Sequence, residues 1–337
     1  MDWNQIMDVK IRSYQYHSKM SQLIQSFINQ KRNSGYPYNS SAQILSCFDK
    51  MLVDNFPEAT TITPEIINAW VNYKPNEHQN SLLRRISPIR QLSKYISGLG
   101  IDCFVVPGHI PQKQIKYEAH IYTKEELISF FKIVDNLPSS KGSPYKKYVA
   151  PVIFRLYYLC GMRLSEAINL KLEDVNFNAG YLLVQEAKGW KERKVYLSDE
   201  LISMLKEYNQ IISFLLPERK YFFPTNTGDK KIGKATIDNW FREISVIAFK
   251  DIPLVGNKRR IHDFRHTFAT ERLSRWVEDG IDINQMYPFF SRYLGHTHYA
   301  DTDYYIQLVP AFYSTFNSLM TDTNNTVLPE VIDDDKE

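Results

Sequence analysis

The sequence predicts a mainly α-helical chain in two parts, the second carrying a small antiparallel β-sheet. Three observations lead there. Apolar residues recur at three- and four-residue spacing through most of the chain. A stretch with two prolines, a glycine and scattered polar residues, 105–120, interrupts that pattern. One region, 181–198, instead holds two strand-like runs joined by a basic turn. At 337 residues, 43% hydrophobic and 23% charged, the chain suits two globular domains of ordinary size.

The first part, residues 1–104, reads as helices. "YQYHSKMSQLIQSFINQKR" and "NSSAQILSCFDKMLVDNF" both carry helical periodicity. In "SPIRQLSKYISGLG", Ser87 and Pro88 predict a helix start and Gly98 its stop. Ile89, Leu92 and Ile96 share one face; Arg90 and Lys94 share another, with Arg84 and Arg85 just upstream. Taken alone, those bases read as a solvated face. Residues 105–120 read as an exposed linker. The second part, 121–322, opens with Thr123 as N-cap and Glu126 completing a capping box. A long helical run follows through Gly161. "YLLVQEA" and "RKVYLS" predict two strands around the turn "KGWKE", and 200–320 reads as helical again. The acidic end, 323–337, reads as a mobile tail.

Formal net charge is only +3, so any nucleic-acid footprint must be local. The three cysteines, Cys47, Cys103 and Cys160, are far apart and form no Cys-x-x-Cys. They give neither a disulfide framework nor a thiolate zinc site, which points to a reducing compartment. The N-terminus lacks the apolar core of a signal peptide, and no apolar run spans a bilayer. The expectation is a cytoplasmic protein, and richness in Lys, Asn, Ile and Tyr hints at an AT-rich bacterial genome.

Four stretches could carry chemistry. In "CGMRLSEAINLKLEDV", Gly161 breaks a helix and sets Arg163 beside the start of the next, where it can point into a cleft with Glu166 as a brace. Alone, the pair reads equally as a surface i+3 salt bridge. Lys188 sits in the hairpin turn, where a lysine is usually just solvated. In "IHDFRHTFAT", His262 and His266 stand four apart, on one helix face, with Arg265 between them and "NKRR" before them. Such a histidine pair can ligate metal. Here Arg265, with Lys258, Arg259 and Arg260 nearby, would repel a cation, and the pocket suits an anion such as phosphate better. In "LGHTHYADTDYYIQL", Gly295 marks a turn before His296, Asp301 predicts an N-cap with the helix starting at Thr302, and Tyr304 and Tyr305 fall in its first turns. Adjacent tyrosines are most often core residues with satisfied hydroxyls.

Taken in order, "GMRLSE", "AKGW", "HDFRH", "LGH" and Tyr305 resemble the motifs of the tyrosine recombinases, the phage integrase family. The resemblance covers about residues 120–320 by motif, and the N-terminal part only by helical character and position. It implies a helical core-binding domain followed by an α-rich catalytic domain with a small antiparallel sheet. It implies Arg163 and Arg265 as clamping arginines, Lys188 as the hairpin lysine, His262 and His296 as active-site histidines and Tyr305 as nucleophile. Glu166 and His266 would be supporting residues. Spacing from His296 favours Tyr305 over Tyr304, although the loop before "LGH" is longer than in short family members.

The resemblance also implies the reaction. A tyrosine oxygen attacks a DNA phosphodiester, the 5′-hydroxyl leaves, and a 3′-phosphotyrosyl link retains the bond energy, with no cofactor, metal or ATP. Two guanidiniums can hold the non-bridging oxygens as charge builds on them, His262 can help the phenol lose its proton, and Lys188 can protonate the leaving oxygen. The implied partners are double-stranded DNA with short inverted-repeat core sites, further copies of the chain in a homotetramer joined through the C-terminal segment, and accessory proteins. Arg84, Arg85, Arg90 and Lys94, with Lys258, Arg259 and Arg260, become expected DNA contacts. The short lead into the first helices leaves little room for an extra arm-binding domain. Two other readings remain: a type IB topoisomerase-like enzyme, which relaxes DNA by the same chemistry, and, more remotely, a histidine-rich metal-dependent hydrolase.

Overall fold

The computed structural model describes residues 11–74, 76–109, 115, 117–138, 141–187, 191–256, 258–296, 298–306 and 308. The chain divides between Tyr117 and Glu118 into two units, each with its own core.

In the first unit the helical periodicity yields α1 (Ser21–Asn33), α2 (Asn39–Asn55), α3 (Pro64–Asn72) and α4 (Gln79–Gly98). Ile24 and Phe27 of α1, Leu45, Phe48 and Leu52 of α2, Trp70 of α3, and Ile89, Leu92 and Ile96 of α4 bury one core. Thr63 caps α3 by accepting from the Ile66 amide, with Pro64 in the first turn. The expected start of the last helix at Ser87 and Pro88 is corrected: α4 begins at Gln79 and Pro88 lies buried inside it. A proline there removes one helical donor, and burial of the surrounding apolar stripe outweighs that loss.

The longer helix changes what its bases do. Residues 85, 89, 92 and 96 are spaced four, three and four apart, so Arg85 shares the buried face and is only 6% exposed. Its guanidinium stacks 4.5 Å over Trp70 and donates to the carbonyls of Trp70 and Val71. Nε and Nη2 both donate to the Glu77 carboxylate, at 2.9 and 2.7 Å. The expectation of Arg85 as a DNA contact is therefore corrected: its donors are spent inside the unit. Arg84 and Lys94 are exposed, while Arg90 donates to the carbonyls of Val106 and Pro107.

The second unit runs α5 (Lys124–Asp135), α6 (Lys146–Leu159), α7 (Leu164–Asn169), a 3₁₀ turn (Leu172–Asp174), β1 (Val175–Asn176), β2 (Tyr181–Ala187) and β3 (Lys191–Tyr196). Among the described residues, α8 (Asp199–Leu215), α9 (Lys234–Ala248), α10 (Ile261–Glu278), α11 (Ile283–Leu294) and α12 (Ala300–Ile306) follow. The capping box at Thr123 and Glu126 forms as the sequence predicts. Val152, Ile153 and Leu156 of α6 lie fully or almost fully buried in the core, and Phe130 of α5 packs 5.0 Å from Phe264 of α10. The sheet is antiparallel in the order β1-β2-β3. Its first strand has two residues, too few for any sequence pattern. Leu182 pairs with Val195 and Val184 with Arg193; all four are buried, whereas Lys194 and Tyr196 face outward. A smaller cluster of Phe268, Leu273, Phe290, Leu294 and Tyr305 joins α10, α11 and α12. Among the described residues, no helix is long and apolar enough to cross a membrane.

Arg85→Ala should strand the Glu77 carboxylate and destabilise the first unit by about 3 kcal/mol, as expected when a buried ion pair loses one partner. Arg84→Ala, on the exposed face, should change stability by less than ~0.5 kcal/mol. Denaturant unfolding that moves equally for both variants would refute the structural role of Arg85.

Candidate active site

The site is assembled around two glycines. Gly161 ends the turn after α6 with φ +60°, and a Cβ there would lie 2.5 Å from the Phe268 ring. This places Arg163, in extended conformation, as the N-cap of α7. Glu166, one turn on, reaches back: its carboxylate accepts from the Arg163 amide at 2.8 Å and from Arg163 Nη1 at 2.7 Å. Gly295 ends α11 with φ +66°, and a Cβ there would meet Arg193 Nη1 at 2.9 Å and Arg163 Nη1 at 3.1 Å. Its bare backbone lets Arg163 Nη2 donate to the Gly295 carbonyl at 2.8 Å.

Arg265, in the first turns of α10, is 1% exposed. It donates from Nη1 to the Gly161 carbonyl and from Nη2 to the Leu294 carbonyl, both at 2.6 Å. Nη2 also lies 3.0 Å from His296 Nε2. An arginine can only donate, so Nε2 accepts and the His296 proton sits on Nδ1, donating to Thr302 Oγ1 at 2.6 Å. Burial pushes Arg265 down to about 10, with Arg163 acting in the same direction and Tyr305 opposing. It remains a cation at neutral pH.

The histidines beside these cations are neutral. Burial, then Arg265, Arg163 and Arg193, pushes His296 down to about 3. His262 keeps an exposed edge, yet its crowded surroundings and then Arg265, Arg260 and Arg163 push it down to about 4. His266 packs edge-on to His262, with ring centres 4.8 Å apart, and burial and then His262 push it down to about 3. Its Nδ1 is buried without a hydrogen-bond partner. Among the described residues, no group of three or more His, Cys, Asp or Glu side chains is arranged to hold a metal ion.

The two tyrosines differ in burial. The helix starts at Ala300, not Thr302, and Tyr305 is the more buried ring, 3% exposed. It stacks parallel to His296 at 5.8 Å and 8°, and lies 5.3 Å from His266. Tyr304 is half-buried and its hydroxyl accepts from the Ala119 amide at 2.8 Å. Lys188 lies outside the described residues.

Arg259, also expected on DNA, spends Nε on Glu126 at 2.5 Å and Nη2 on Pro253 and covers Phe249, while lining the same groove as Lys258 and Arg260. Glu126 also holds the buried His120. Arg260 caps α10 with Asp263 yet stays partly exposed, and Lys258 is exposed. Both line a basic groove of about 740 Å³ that reaches His262, with Lys234 and Arg242 on its wall. On another face, Tyr196, Leu201, Phe268, Trp276, Phe289 and Phe290 line an apolar groove of about 550 Å³. Sequence reasoning missed Arg193, which donates to both oxygens of Glu166 at 2.9 and 2.7 Å. The available signal was an arginine two residues before Val195, on the inward face of a strand.

Comparison with known proteins places this arrangement. The model of the phage integrase family matches residues 122–311. The chain belongs to that family, the tyrosine recombinases, and is a DNA recombinase. It is 28% identical over 308 residues to the integrase/recombinase-type protein y4rB of Sinorhizobium fredii, covering 86% of this chain and 93% of that one. Tyrosine recombinase XerC of Staphylococcus aureus is 27% identical over 303 residues, covering 85% and 92%. In fold the chain is similar to the XerH site-specific recombinase bound to a palindromic difH substrate, with TM-score 0.66, 18% identity and coverage of 94% and 100%. It is also similar to a lambda integrase tetramer bound to a Holliday junction, with TM-score 0.56, 17% identity and coverage of 83% and 76%.

The neutral histidines give the fold a pH dependence with a definite sign. Their folded values lie below the ordinary 6.5, at about 3 to 4. The unfolded chain therefore binds protons that the folded chain refuses, so this stability is complete above pH 6.5 and is lost as pH falls below it. The melting temperature should fall between pH 7 and pH 5, and His266→Gln should make that fall shallower. An unchanged slope would mean His266 titrates normally in the folded protein.

Proposed function

We propose that the chain is a site-specific recombinase or integrase that cuts and rejoins double-stranded DNA through a 3′-phosphotyrosyl link on Tyr305, without metal or ATP. One observation carries the reading. Arg163 and Arg265, from different helices, converge on the consecutive backbone of Leu294 and Gly295, and His296 and the Tyr305 ring lie beside them.

The roles follow from charge and reach. Arg163 and Arg265 hold the non-bridging oxygens of the scissile phosphate and gain strength as negative charge builds there. Tyr305 Oη attacks phosphorus, and the bond to the 5′-oxygen breaks. The phenol proton passes to His262, whose basicity rises when an anionic phosphate sits among the arginines. Lys188 gives its proton to the departing 5′-oxygen. His296, kept neutral and fixed by Thr302, orients the phosphate, while Glu166 and His266 support the clamp and the histidine face. Attack by a DNA 5′-hydroxyl on the phosphotyrosyl phosphorus releases Tyr305 and reseals the strand; when that hydroxyl belongs to a partner strand, exchange is complete.

Arg84 and Lys94 of the first unit, and Lys258 and Arg260 of the basic groove, are proposed as backbone contacts; Arg90 contributes only where its carbonyl bonds allow. The substrate would be paired core sites with short inverted repeats, acted on by a homotetramer in the cytoplasm. The sequence after Tyr305, "IQLVPAFYSTFNSL", is apolar, and the groove around Phe268, Trp276 and Phe289 is a suitable receiver for it from a neighbouring copy.

A nicked suicide substrate in EDTA tests the reading directly. Wild type and Tyr304→Phe should form a covalent protein–DNA adduct and Tyr305→Phe should not. Arg163→Ala and Arg265→Ala should bind DNA but cleave about a hundredfold or more slowly, the loss typical of an anion-stabilising donor. An adduct peptide carrying Tyr304, or strict dependence on a divalent ion, would overturn the assignment.

A second measurement isolates the leaving-group step. Lys188→Ala should slow an ordinary phosphodiester far more than one with a 5′-thiolate leaving group, which needs no proton. Equal slowing on both would remove Lys188 as the acid.

A further inference from the structure

Arg193 is a buried charge beside the site that this reading leaves without a task. It sits on β3, five residues beyond Lys188, and is 7% exposed. Strand alternation turns it inward with Val195. Nη1 and Nη2 donate to the two oxygens of Glu166 at 2.9 and 2.7 Å, and Nε donates to the Tyr293 carbonyl at 2.7 Å. Glu166 is the same carboxylate that holds Arg163, at 2.7 Å. The cluster is thus arginine, glutamate, arginine, with the carboxylate in the middle.

Charge counting gives the cluster a purpose. A lone Arg163–Glu166 pair is neutral and offers an incoming anion little. With Arg193 on the other side, two cations share one anion and one positive charge remains. Arg193 is the more buried of the two, its side chain 5% exposed against 24% for Arg163. The surplus charge is therefore presented at Arg163, the end open to a ligand. A structural pair alone would not need this: burying a second guanidinium carries a desolvation cost that a neutral, apolar residue at this strand position would avoid.

We infer that Arg193 is a positioning residue for DNA cleavage: by neutralising Glu166 from behind, it keeps the positive charge of Arg163 available to the scissile phosphate. This rests on the reading of Arg163 as a phosphate clamp. Through Tyr293 and Glu166, Arg193 also ties β3 to α11 and α7.

Single-turnover cleavage of a nicked suicide substrate tests it, using an ordinary phosphodiester and an uncharged methylphosphonate at the scissile position. Arg193→Met should slow the phosphodiester about tenfold or more, as for loss of a charge-assisted contact, and slow the methylphosphonate much less. Glu166→Gln added to Arg193→Met restores one net positive charge and should recover much of the phosphodiester rate. Arg193→Lys should fall between wild type and Arg193→Met. Equal slowing on both substrates, together with no recovery in the double variant, would reduce Arg193 to a packing role and overturn the inference. Arg163→Ala in the same assay separates the two levels. Full cleavage by Arg163→Ala sinks the clamp and this inference together. Slow cleavage by Arg163→Ala with full cleavage by Arg193→Met sinks this inference alone.

Discussion

Two guanidiniums repel each other, yet this site holds Arg163 and Arg265 together on the consecutive carbonyls of Gly295 and Leu294. Each lowers the proton affinity of its surroundings, and Arg163 acts unfavourably on Arg265. The fold meets that repulsion with acceptors fixed in advance. Glu166 holds Arg163, and the carbonyls of Gly161, Leu294 and Gly295 receive donors from both arginines. Carbonyls carry only partial charge, so they hold the guanidiniums without cancelling them. Glu166 carries a full charge: burial raises its proton affinity, but Arg193 and Arg163 outweigh that and hold it down to about 2. The rest of the second unit can be read as the means of bringing those three carbonyls and that carboxylate together.

Backbone geometry enforces this more strictly than side-chain choice. Gly161 and Gly295 both adopt positive φ, and at both a Cβ would meet another group at under 3 Å. In one case that group is the Phe268 ring; in the other it is the guanidinium of Arg193. The glycines are thus where α6 and α11 stop, and also where an arginine can reach a main-chain oxygen. The stop signals of the helices and the seats of the arginines are the same residues.

Much of this was legible in the sequence, for identifiable reasons. The helices of both units follow from apolar periodicity, and the β2–β3 pair from its strand-like runs. Gly161, Gly295 and the capping box at Thr123 announce themselves by local chemistry. What failed did so where long-range packing decided. Pro88 looks like a helix start because proline usually is one, but the stripe of residues 85, 89, 92 and 96 carries the helix through it. Arg85 and Arg259 look like solvated bases, because a charge in sequence says nothing of a distant partner such as Glu77 or Glu126. Arg193 was hidden for the opposite reason: its inward position was readable, but its partner Glu166 lies on another element.

Three neutral histidines stand beside a row of cations, and the reason lies in desolvation and like charge together. An imidazolium added to Arg163, Arg193 and Arg265 would raise the repulsion that the carbonyls have to absorb. Neutral His296 instead serves Arg265 as an acceptor, and its remaining proton is spent on Thr302. That chain locks the tautomer, and with it the ring against which Tyr305 stacks. The phenol is therefore oriented by the same network that fixes the arginines. Under the proposed chemistry, a Tyr305 ring only 3% exposed meets a phosphate only if the DNA enters among the arginines or α12 gives way. Since α12 is only seven residues long, its hold on the unit comes from the small cluster of Phe268, Leu273, Phe290 and Leu294 and from hydrogen bonds that Thr302, Asp303 and Tyr304 make to His296, Tyr287 and Ala119. That cluster contains Leu294, whose carbonyl receives Arg265, and Phe268, which packs against Gly161, so the packing that holds Tyr305 and the seat of Arg265 are shared.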